Sequence, residues 1–328
     1  MFNGCDNGVS TKILSKPQKQ SVRHIHFDQL SLFNGLHCAS IFVIDEIVVS
    51  LGEVEGCGIK QKGSMTHTPL GWAAENGHEE VVRVLLSRDD IDPDKPGEYG
   101  QTPLAIASWN GHEGVVKILL GRDDVDPDKS DEYGQTPLLQ AVCNGQEGVI
   151  KMLLERDDVN PNAPDMNGYT PLLQAAHYGC EGIVNLLLGR DDIDPNKSDE
   201  RGGTPLSQAA YYGHEGVVKI LLGRDDVDPN KSDNLDSTPL FQAIYREHAG
   251  IVKILLGRDD VDPDKPDGKG LMNLRWAFEN NRGRALVQHL IPTALPKPGE
   301  ASPSLPTPDT VPTFERRPPQ SHWLKEQC

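Results

Sequence analysis

The sequence predicts an all-α repeat solenoid, made of stacked helix-turn-helix units from which hairpin-like loops project. The tripeptide Thr-Pro-Leu recurs with a constant step of 34 residues, and a proline and a Leu-Leu pair keep the same step. Its six copies begin at Thr68, Thr102, Thr136, Thr170, Thr204 and Thr238. Self-similarity at a fixed period of this length indicates units that bury one another in a row, and not one closed core. Such a chain favours a binding surface over a catalytic pocket.

The period that begins at Thr102 predicts two helices. Thr102 is a suitable N-cap and Pro103 a suitable first residue for a helix that ends at Asn110-Gly111, where glycine accepts the left-handed conformation. A second helix runs roughly from Gly114 to Leu120. Its residues are apolar apart from Lys117, so we expect most of its sides to be buried. The polar segment that follows, marked by Pro and Gly, is a loop.

These landmarks resemble the signature of the ankyrin-repeat family. In the first clear repeat the signature reads Thr68-Pro69-Leu70, Ala73-Ala74, Gly77-His78, Val81-Val82 and Leu85-Leu86. The fifth repeat reads Thr204-Pro205-Leu206, Ala209-Ala210, Gly213-His214, Val217-Val218 and Leu221-Leu222. The array is similar to those of fungal receptor-like proteins with Arg-Asp-Asp-Val-Asp-Pro junctions. The resemblance implies antiparallel helix pairs with loops at right angles to them.

The chain departs from the family pattern in three ways. Its period is 34 residues, where the family usually has about 33, and the extra length falls in the loop. The histidine that often follows Thr-Pro-Leu in the family is absent, so a hydrogen bond that stiffens the repeat is expected to be missing. In the sixth repeat Asp236 and Glu247 replace the loop and turn glycines.

The repeat register suggests five segments. Residues 66–270 form six repeats, and residues 271–291 form a degenerate C-terminal capping repeat in which Leu274 and Ala277 keep the register. Residues 33–65 are interpreted as a degenerate capping repeat, with an unrelated apolar segment as the alternative. Residues 1–32 remain unassigned. Residues 292–328 contain nine prolines and are expected to be a disordered tail.

The net charge of the chain is -17, and its placement indicates the kind of partner. Residues 1–65 hold six basic and six acidic groups, and residues 292–328 hold four of each, so the excess negative charge lies on the repeats. Such a surface repels phosphate backbones, which argues against binding of nucleic acid. It attracts a basic or amphipathic protein partner in a salt-dependent way.

The cysteines and the apolar segments indicate a soluble, intracellular protein with reduced thiols. The six cysteines, at positions 5, 38, 57, 143, 180 and 328, form no Cys-x-x-Cys pair. The N-terminus lacks the apolar core of a signal peptide. The most apolar stretch, residues 39–51, is short and interrupted by Asp45-Glu46, so it does not span a membrane. We expect a monomer in the cytoplasm, with the nucleus as the alternative.

The resemblance implies that a partner binds on the concave side, at the loop tips and at the two residues before each Gly-His turn. All seven tyrosines of the chain fall in these two sets. Tyrosine and tryptophan give large contact areas and lose little rotamer entropy on binding. The predicted partner-binding residues are Tyr99, Trp109, Tyr133, Tyr169, His177, Tyr178, Tyr211, Tyr212, Tyr245 and Arg246. We expect alanine at Tyr178, Tyr211 and Tyr212 to weaken partner binding with little change in thermal stability. The alternative is that the loop tyrosines pack on neighbouring loops and the others are neutral variants.

The sequence gives no support for catalytic residues, a metal site or a cofactor. The junctions carry Asp-x-Asp-x-Asp, as at Asp124, but Lys129 and Gln135 stand where a calcium loop needs glycine and glutamate. Residues 58–63 have the glycine spacing of a phosphate-binding loop, yet Ser64-Met65 follows where Lys-Ser or Lys-Thr is required. His24 and His26 lack further ligands at zinc-site spacing.

Three functional hypotheses follow. The first is a non-enzymatic protein–protein interaction module or scaffold whose concave, acidic, tyrosine-rich face binds a partner protein. The second is the ligand-sensing part of a signalling receptor or enzyme whose catalytic domain is absent from this chain. The third, a stand-alone enzyme, lacks a supporting motif.

Overall fold

The computed structural model of the chain describes residues 68–263 and residue 265, apart from the side chain of Glu98. The segments predicted at residues 1–32, 33–65, 271–291 and 292–328 lie outside the described residues and remain predictions. Contacts between Cα atoms divide the chain into two compact units. Unit 1 comprises residues 1–141 and 148–160, and unit 2 comprises residues 142–147 and 161–328.

The described residues form twelve α-helices and no strand, which confirms the predicted all-α repeat solenoid. The helices alternate between a first and a second member of each of six pairs. They are α1 Pro69–Glu75, α2 Glu79–Leu86, α3 Pro103–Asn110, α4 Glu113–Leu120, α5 Pro137–Cys143, α6 Glu147–Leu154, α7 Pro171–Tyr178, α8 Glu181–Leu188, α9 Pro205–Tyr212, α10 Glu215–Leu222, α11 Pro239–Tyr245 and α12 Ala249–Leu256.

The first helix of each pair begins at the threonine of Thr-Pro-Leu, as predicted. In α9 the hydroxyl of Thr204 accepts a hydrogen bond from the backbone N–H of Ser207 (3.2 Å), and the Ser207 hydroxyl accepts one from Thr204 N–H (2.8 Å). Pro205 stands where a backbone N–H would have no partner in the helix. Gly213 ends the helix in the left-handed conformation, with φ of 87°. Each threonine cap is worth about 1 kcal/mol.

Helices of the same kind pack side by side within each unit. In unit 1, α1 contacts α3 and α2 contacts α4; in unit 2, α7, α9 and α11 are neighbours, as are α8, α10 and α12. In α4, Val115, Val116 and Leu119 are buried, but Ile118 and Leu120 are only half-buried. The expectation that most sides of the second helix are buried was therefore too broad, because one face of this helix remains at the surface.

Where a repeat carries the turn histidine, this residue joins it to the repeat before; Gln146 and Cys180 replace the histidine in two repeats. In unit 1 the His112 ring lies over Gly77, where an added Cβ would come within 2.7 Å of the ring. The Nε2 of the same ring lies 2.9 Å from the backbone oxygen of Glu75. Only glycine leaves room for the ring, and Gly77 also has φ of 71°. The two residues of the motif therefore act across a repeat boundary.

The junction arginine also acts across that boundary. In unit 2 the Arg224 guanidinium pairs with both carboxylate oxygens of Asp226 (2.7 and 2.8 Å) and donates from Nη1 to the backbone oxygen of Leu188 (3.1 Å). Leu188 is the last residue of α8, so the arginine caps the preceding repeat's helix. Arg122 makes the same bond to Leu86 at 3.0 Å. These arginines thus join neighbouring repeats.

A second polar link joins a loop to the first helix that follows it. In unit 2, the Asp199 carboxylate accepts hydrogen bonds from the backbone N–H groups of Arg201 (2.9 Å) and Gly203 (2.8 Å) and from Gln208 Nε2 (3.0 Å). Gln208 lies in α9, so this carboxylate fastens the loop to the helix that follows it. Asp131 and Gln140 form the same pair in unit 1, at 2.8 Å. The loops are therefore fixed by a different residue pair.

Candidate interaction surface

The structure distributes the ten predicted partner-binding residues over both units. Tyr99, Trp109 and Tyr133 belong to unit 1. The other seven belong to unit 2, at the end of a first helix or in a loop; they are Tyr169, His177, Tyr178, Tyr211, Tyr212, Tyr245 and Arg246.

Aromatic rings converge in unit 2 around His177. The ring centroid of His177 lies 4.3 Å from that of Tyr212, 4.8 Å from that of Tyr178 and 6.0 Å from that of Tyr169. Tyr211 and Tyr212 meet edge to face at 4.9 Å. We call His177, Tyr178, Tyr211 and Tyr212 the aromatic cluster. They are the last two residues of α7 and of α9, which are adjacent helices, so the register of the repeat brings them together.

The members of the aromatic cluster differ in exposure. His177 and Tyr211 are buried, with 9% and 6% of their surface exposed, whereas Tyr178 and Tyr212 are half-buried. The guanidinium carbon of Arg246 lies 4.7 Å from the centroid of the Tyr211 ring and so covers it. Tyr178 and Tyr212 therefore offer accessible surface, and buried His177 contacts both of them.

The burial of Tyr211 changes what we expect from its replacement. A buried aromatic side chain contributes several kcal/mol to folding through contacts that alanine lacks, typically about 3–5 kcal/mol. The expectation that alanine at Tyr211 leaves thermal stability nearly unchanged therefore conflicts with its position. The same expectation for Tyr178 and Tyr212 fits their partial exposure.

His214, which is not among the predicted partner-binding residues, lies beside the aromatic cluster. Its ring stacks on that of Tyr212 at a centroid distance of 6.3 Å. Burial lowers the pKa of His214 below its ordinary value of 6.5; the bond to the His177 backbone oxygen opposes this effect, and the charge of His248 adds to it. The repeating Gly-His motif was the available signal for this residue, because it places the histidine next to the end of the preceding first helix.

Five further predicted residues are not members of the aromatic cluster, although Tyr169 borders it. Tyr245 is half-buried and stacks on Phe241, one turn earlier in α11, at 6.2 Å between centroids. In unit 1, Trp109 is half-buried at the end of α3. Tyr99 and Tyr133 are exposed loop residues whose ring centroids lie 6.3 Å apart. Tyr169 is half-buried beside His177.

The acidic junctions are organised by hydrogen bonds within the chain. The bond from Arg122 lowers the pKa of Asp124, and the side chain of Asp126 accepts from the backbone N–H of Asp128 at 3.0 Å. Within residues 68–263, no group of three or more His, Cys, Asp or Glu side chains is placed to hold a metal ion. No helix in this same part of the chain combines the length and the apolar character needed to cross a bilayer.

The comparisons with known proteins identify the family. A family model described as ankyrin repeats (3 copies) matches residues 36–131, 123–199 and 192–267, which together exceed half of the chain. The chain is an ankyrin-repeat protein. Ankyrin repeats generally serve as protein–protein interaction modules, and their fold is typically non-enzymatic. This agrees with the class of function predicted from the sequence.

A solved structure supports the fold independently. The ankyrin repeat domain of Bcl-3, described as a unique member of the IkappaB protein family, is 24% identical to this ankyrin-repeat protein with a TM-score of 0.62. The alignment covers 67% of this chain and 98% of that one. At this level of identity the likeness concerns the fold alone. No curated protein matches the chain at a significant level.

Proposed function

We propose that this ankyrin-repeat protein is a scaffold that binds a basic or amphipathic protein partner through the aromatic cluster of unit 2. The observation that carries the proposal is the contact of half-buried Tyr178 and Tyr212 with the buried ring of His177. Large aromatic side chains that are accessible yet held in place are typical of binding hot spots. In the sequence interpretation this is the concave, acidic face.

Fixed geometry lowers the entropy that binding must overcome. The end of α9 that bears Tyr212 is fixed by Gly213 in the left-handed conformation, and its start is fixed by the reciprocal bonds of Thr204 and Ser207. The loop before α9 is attached to it through Asp199 and Gln208. Because little of this surface needs to become ordered, a modest contact area suffices for useful affinity.

The charge of the chain indicates the character of the partner. The net charge of -17 attracts basic surfaces at long range and accelerates their association at low salt. Aromatic faces also accept guanidinium and ammonium groups, and Arg246 over Tyr211 shows such a contact within the chain itself. A partner with exposed Arg or Lys beside apolar residues fits both features.

The test compares capture by the full chain with capture by the double variant Tyr178→Ala/Tyr212→Ala at about 50 mM and about 500 mM salt. We expect the wild type to capture a basic protein and to release it at high salt. The affinity of the double variant for this protein should be at least about tenfold lower. Lys219→Ala and Lys253→Ala, at exposed positions of α10 and α12, are the matched controls. Equal capture by wild type and double variant, with unchanged melting temperatures, would reject the cluster as the binding surface.

A further inference from the structure

Asparagine followed by glycine is the dipeptide in which the main chain most readily attacks the asparagine side chain, because glycine has no Cβ to obstruct the approach. The described residues contain four such pairs, which begin at Asn76, Asn110, Asn144 and Asn167. Of these four, the first three lie at the ends of first helices, and Asn167 lies at a loop tip. The same dipeptide therefore occurs in two different surroundings.

The side chain of Asn167 is not held by the fold. Asn167 is exposed in the loop between α6 and α7. Its backbone N–H donates to Asp165 Oδ1 at 2.8 Å. Within residues 68–263 its side-chain amide has no hydrogen-bond partner. The carboxamide carbon of Asn167 can therefore turn towards the following residue without breaking a bond.

The side chains of Asn76 and Asn110 are held in place. Each donates from Nδ2 to the backbone oxygen of the residue one helical turn earlier, at 2.8 and 2.9 Å. At Asn76 the following residue is also covered, because the His112 ring lies over Gly77. These two carboxamides must break a hydrogen bond before they can meet the next backbone nitrogen, so they react more slowly than a free one.

The backbone nitrogen of the glycine is the attacking atom. The N–H groups of Gly77, Gly111 and Gly168 each donate to the backbone oxygen three residues earlier, at 3.3, 3.4 and 2.9 Å. Folding therefore slows all three pairs relative to an unfolded chain, and the side chains distinguish them. At the loop tip, the Asn167 oxygen also accepts from Glu200 N–H at 3.2 Å. This bond polarises the peptide that contains the Gly168 nitrogen and favours loss of its proton.

We propose that Asn167 is a site of spontaneous deamidation, which converts it to aspartate and isoaspartate faster than Asn110 or Asn76. The Gly168 N–H gives its proton to hydroxide, and the nitrogen forms a bond with Asn167 Cγ as ammonia leaves. Water then adds to one of the two carbonyl carbons of the resulting succinimide and breaks the bond from that carbon to nitrogen. One water is consumed and one ammonia is released, and no atom is oxidised or reduced.

Isoaspartate at position 167 separates two loops of unit 2. It lengthens the main chain by one methylene, next to a glycine where an added Cβ would lie 2.7 Å from the backbone N of Glu200. This close contact leaves no room for the methylene, so the bond from Glu200 N–H to the oxygen of residue 167 is lost. Tyr169 lies in the same loop and borders the aromatic cluster. The modification therefore reaches the edge of the proposed binding surface.

The test follows the full chain at mildly alkaline pH by peptide mapping and mass spectrometry, which distinguish asparagine, aspartate and isoaspartate. We expect Asn167 to convert at least about fivefold faster than Asn110, a factor that one side-chain hydrogen bond can supply, and Asn76 to be slower still. In about 8 M urea the three rates should agree within about twofold. Asp165→Ala removes the acceptor of the Asn167 and Tyr169 N–H groups. It should accelerate conversion of Asn167 and leave that of Asn110 unchanged.

Hydrogen exchange tests the consequence for the loops. In the converted chain the amide of Glu200 should exchange at least about tenfold faster than before. The amide of Asn234, which donates to the Arg201 oxygen at 2.8 Å, is the matched control and should not change. Unaltered exchange at Glu200 would reject the separation of the loops.

Two outcomes would overturn the deamidation site itself. One is equal conversion of Asn167 and Asn110 in the folded chain. The other is an equally large difference between them in urea, which would assign the order to the flanking sequence and not to the fold. Neither measurement uses a partner, so both are independent of the proposed scaffold function.

Discussion

The imidazole Nε2 of His214 lies 3.0 Å from the backbone oxygen of His177, one repeat earlier. Because a carbonyl oxygen only accepts, this nitrogen carries the proton that is donated. The same ring lies against Gly179, where an added Cβ would collide with it. His248 makes the equivalent contact with the Tyr211 oxygen, also at 3.0 Å. His214 thus fixes the end of α7 and His248 fixes the end of α9, the two helices that present the aromatic cluster.

The first prediction concerns the pH dependence of stability. Burial lowers the pKa of His214 in the folded chain below 6.5, its ordinary value. The unfolded chain therefore binds a proton more readily, and the stability contributed by neutral His214 is complete above pH 6.5 and is lost as the pH falls below it. We expect His214→Gln, which keeps a donor but does not titrate, to reduce the loss of unfolding free energy between about pH 7.5 and about pH 5.5. Parallel curves of free energy against pH for variant and wild type would contradict this.

The second prediction rests on an aspartate where three later repeats have asparagine. The amides of Asn162, Asn196 and Asn230 each accept a backbone hydrogen bond and donate another to a carbonyl 30 residues later. Asp94, with 8% of its surface exposed, accepts from Asp126 N–H at 2.8 Å. Its Oδ1 is buried without a hydrogen-bond partner. A carboxylate cannot donate the second bond that asparagine makes.

Asp94→Asn should therefore stabilise the chain by about 1–2 kcal/mol at pH 7, because it supplies the missing donor. Burial raises the pKa of Asp94 above 3.8, so the folded state favours the protonated carboxyl. Its contribution is complete below pH 3.8 and is lost as the pH rises through the folded pKa. The advantage of asparagine should accordingly shrink towards pH 3, as urea unfolding can measure. Asn196→Asp is the reverse control and should destabilise at pH 7.

The third prediction tests the link between loop and helix. Asp199 and Gln208 are both buried and their side chains are 3.0 Å apart. Gln208→Ile alone leaves a buried carboxylate oxygen without this donor and should cost about 1–3 kcal/mol. The repeat that begins at Thr102 cannot form the link, since Gly97 and Ile106 occupy the corresponding positions. The double variant Asp199→Gly/Gln208→Ile should therefore cost less than the sum of the single changes, by about 1–2 kcal/mol in a double-mutant cycle. Strict additivity would show that the two side chains act separately.

The fourth prediction concerns the turn of the sixth repeat. Glu247 has φ of 62° where Gly213 and other turns have glycine. This conformation costs an L-residue roughly 1–2 kcal/mol. Glycine avoids that cost, but its greater conformational freedom in the unfolded chain offsets part of the gain in stability. We expect Glu247→Gly to raise the unfolding free energy by about 0.5–1 kcal/mol. Lys253→Gly, in the interior of α12, should instead lower it by about 1 kcal/mol. Loss of stability in Glu247→Gly would mean that this glutamate makes compensating contacts.

Features fixed by neighbouring residues could be predicted from the sequence. Thr102 and Gly111 determine where α3 begins and ends through local hydrogen bonds and backbone freedom, and both boundaries were predicted. Contacts that join equivalent repeats could not be read in the same way. The bond of Arg122 to the Leu86 oxygen spans 36 residues, and nothing near Arg122 distinguishes a capping arginine from an exposed one.

The candidate surface could likewise be predicted from the sequence only in part. The repeat register placed Tyr178 and Tyr212 on adjacent helices, but it did not show which aromatic side chains would be buried. Adjacent residues on a helix point about 100° apart, so Tyr211 and Tyr212 face different surroundings. The cover that Arg246 gives Tyr211 comes from the next repeat. The left-handed conformation of Tyr99 had no signal in the sequence, because Gly100 beside it already supplies the residue that a turn requires.

His112, His214 and His248 complete the turn of the preceding repeat in the same manner. Gln146 and Cys180 stand at this position in the two other repeats. Duplication of the 34-residue period that carries His214 and Gly213 would therefore bring an equivalent histidine against an equivalent glycine at the new joint. The array can therefore gain a repeat of this type without a new kind of contact at the joint. Its tyrosines, which differ from step to step, remain open to selection for new partners.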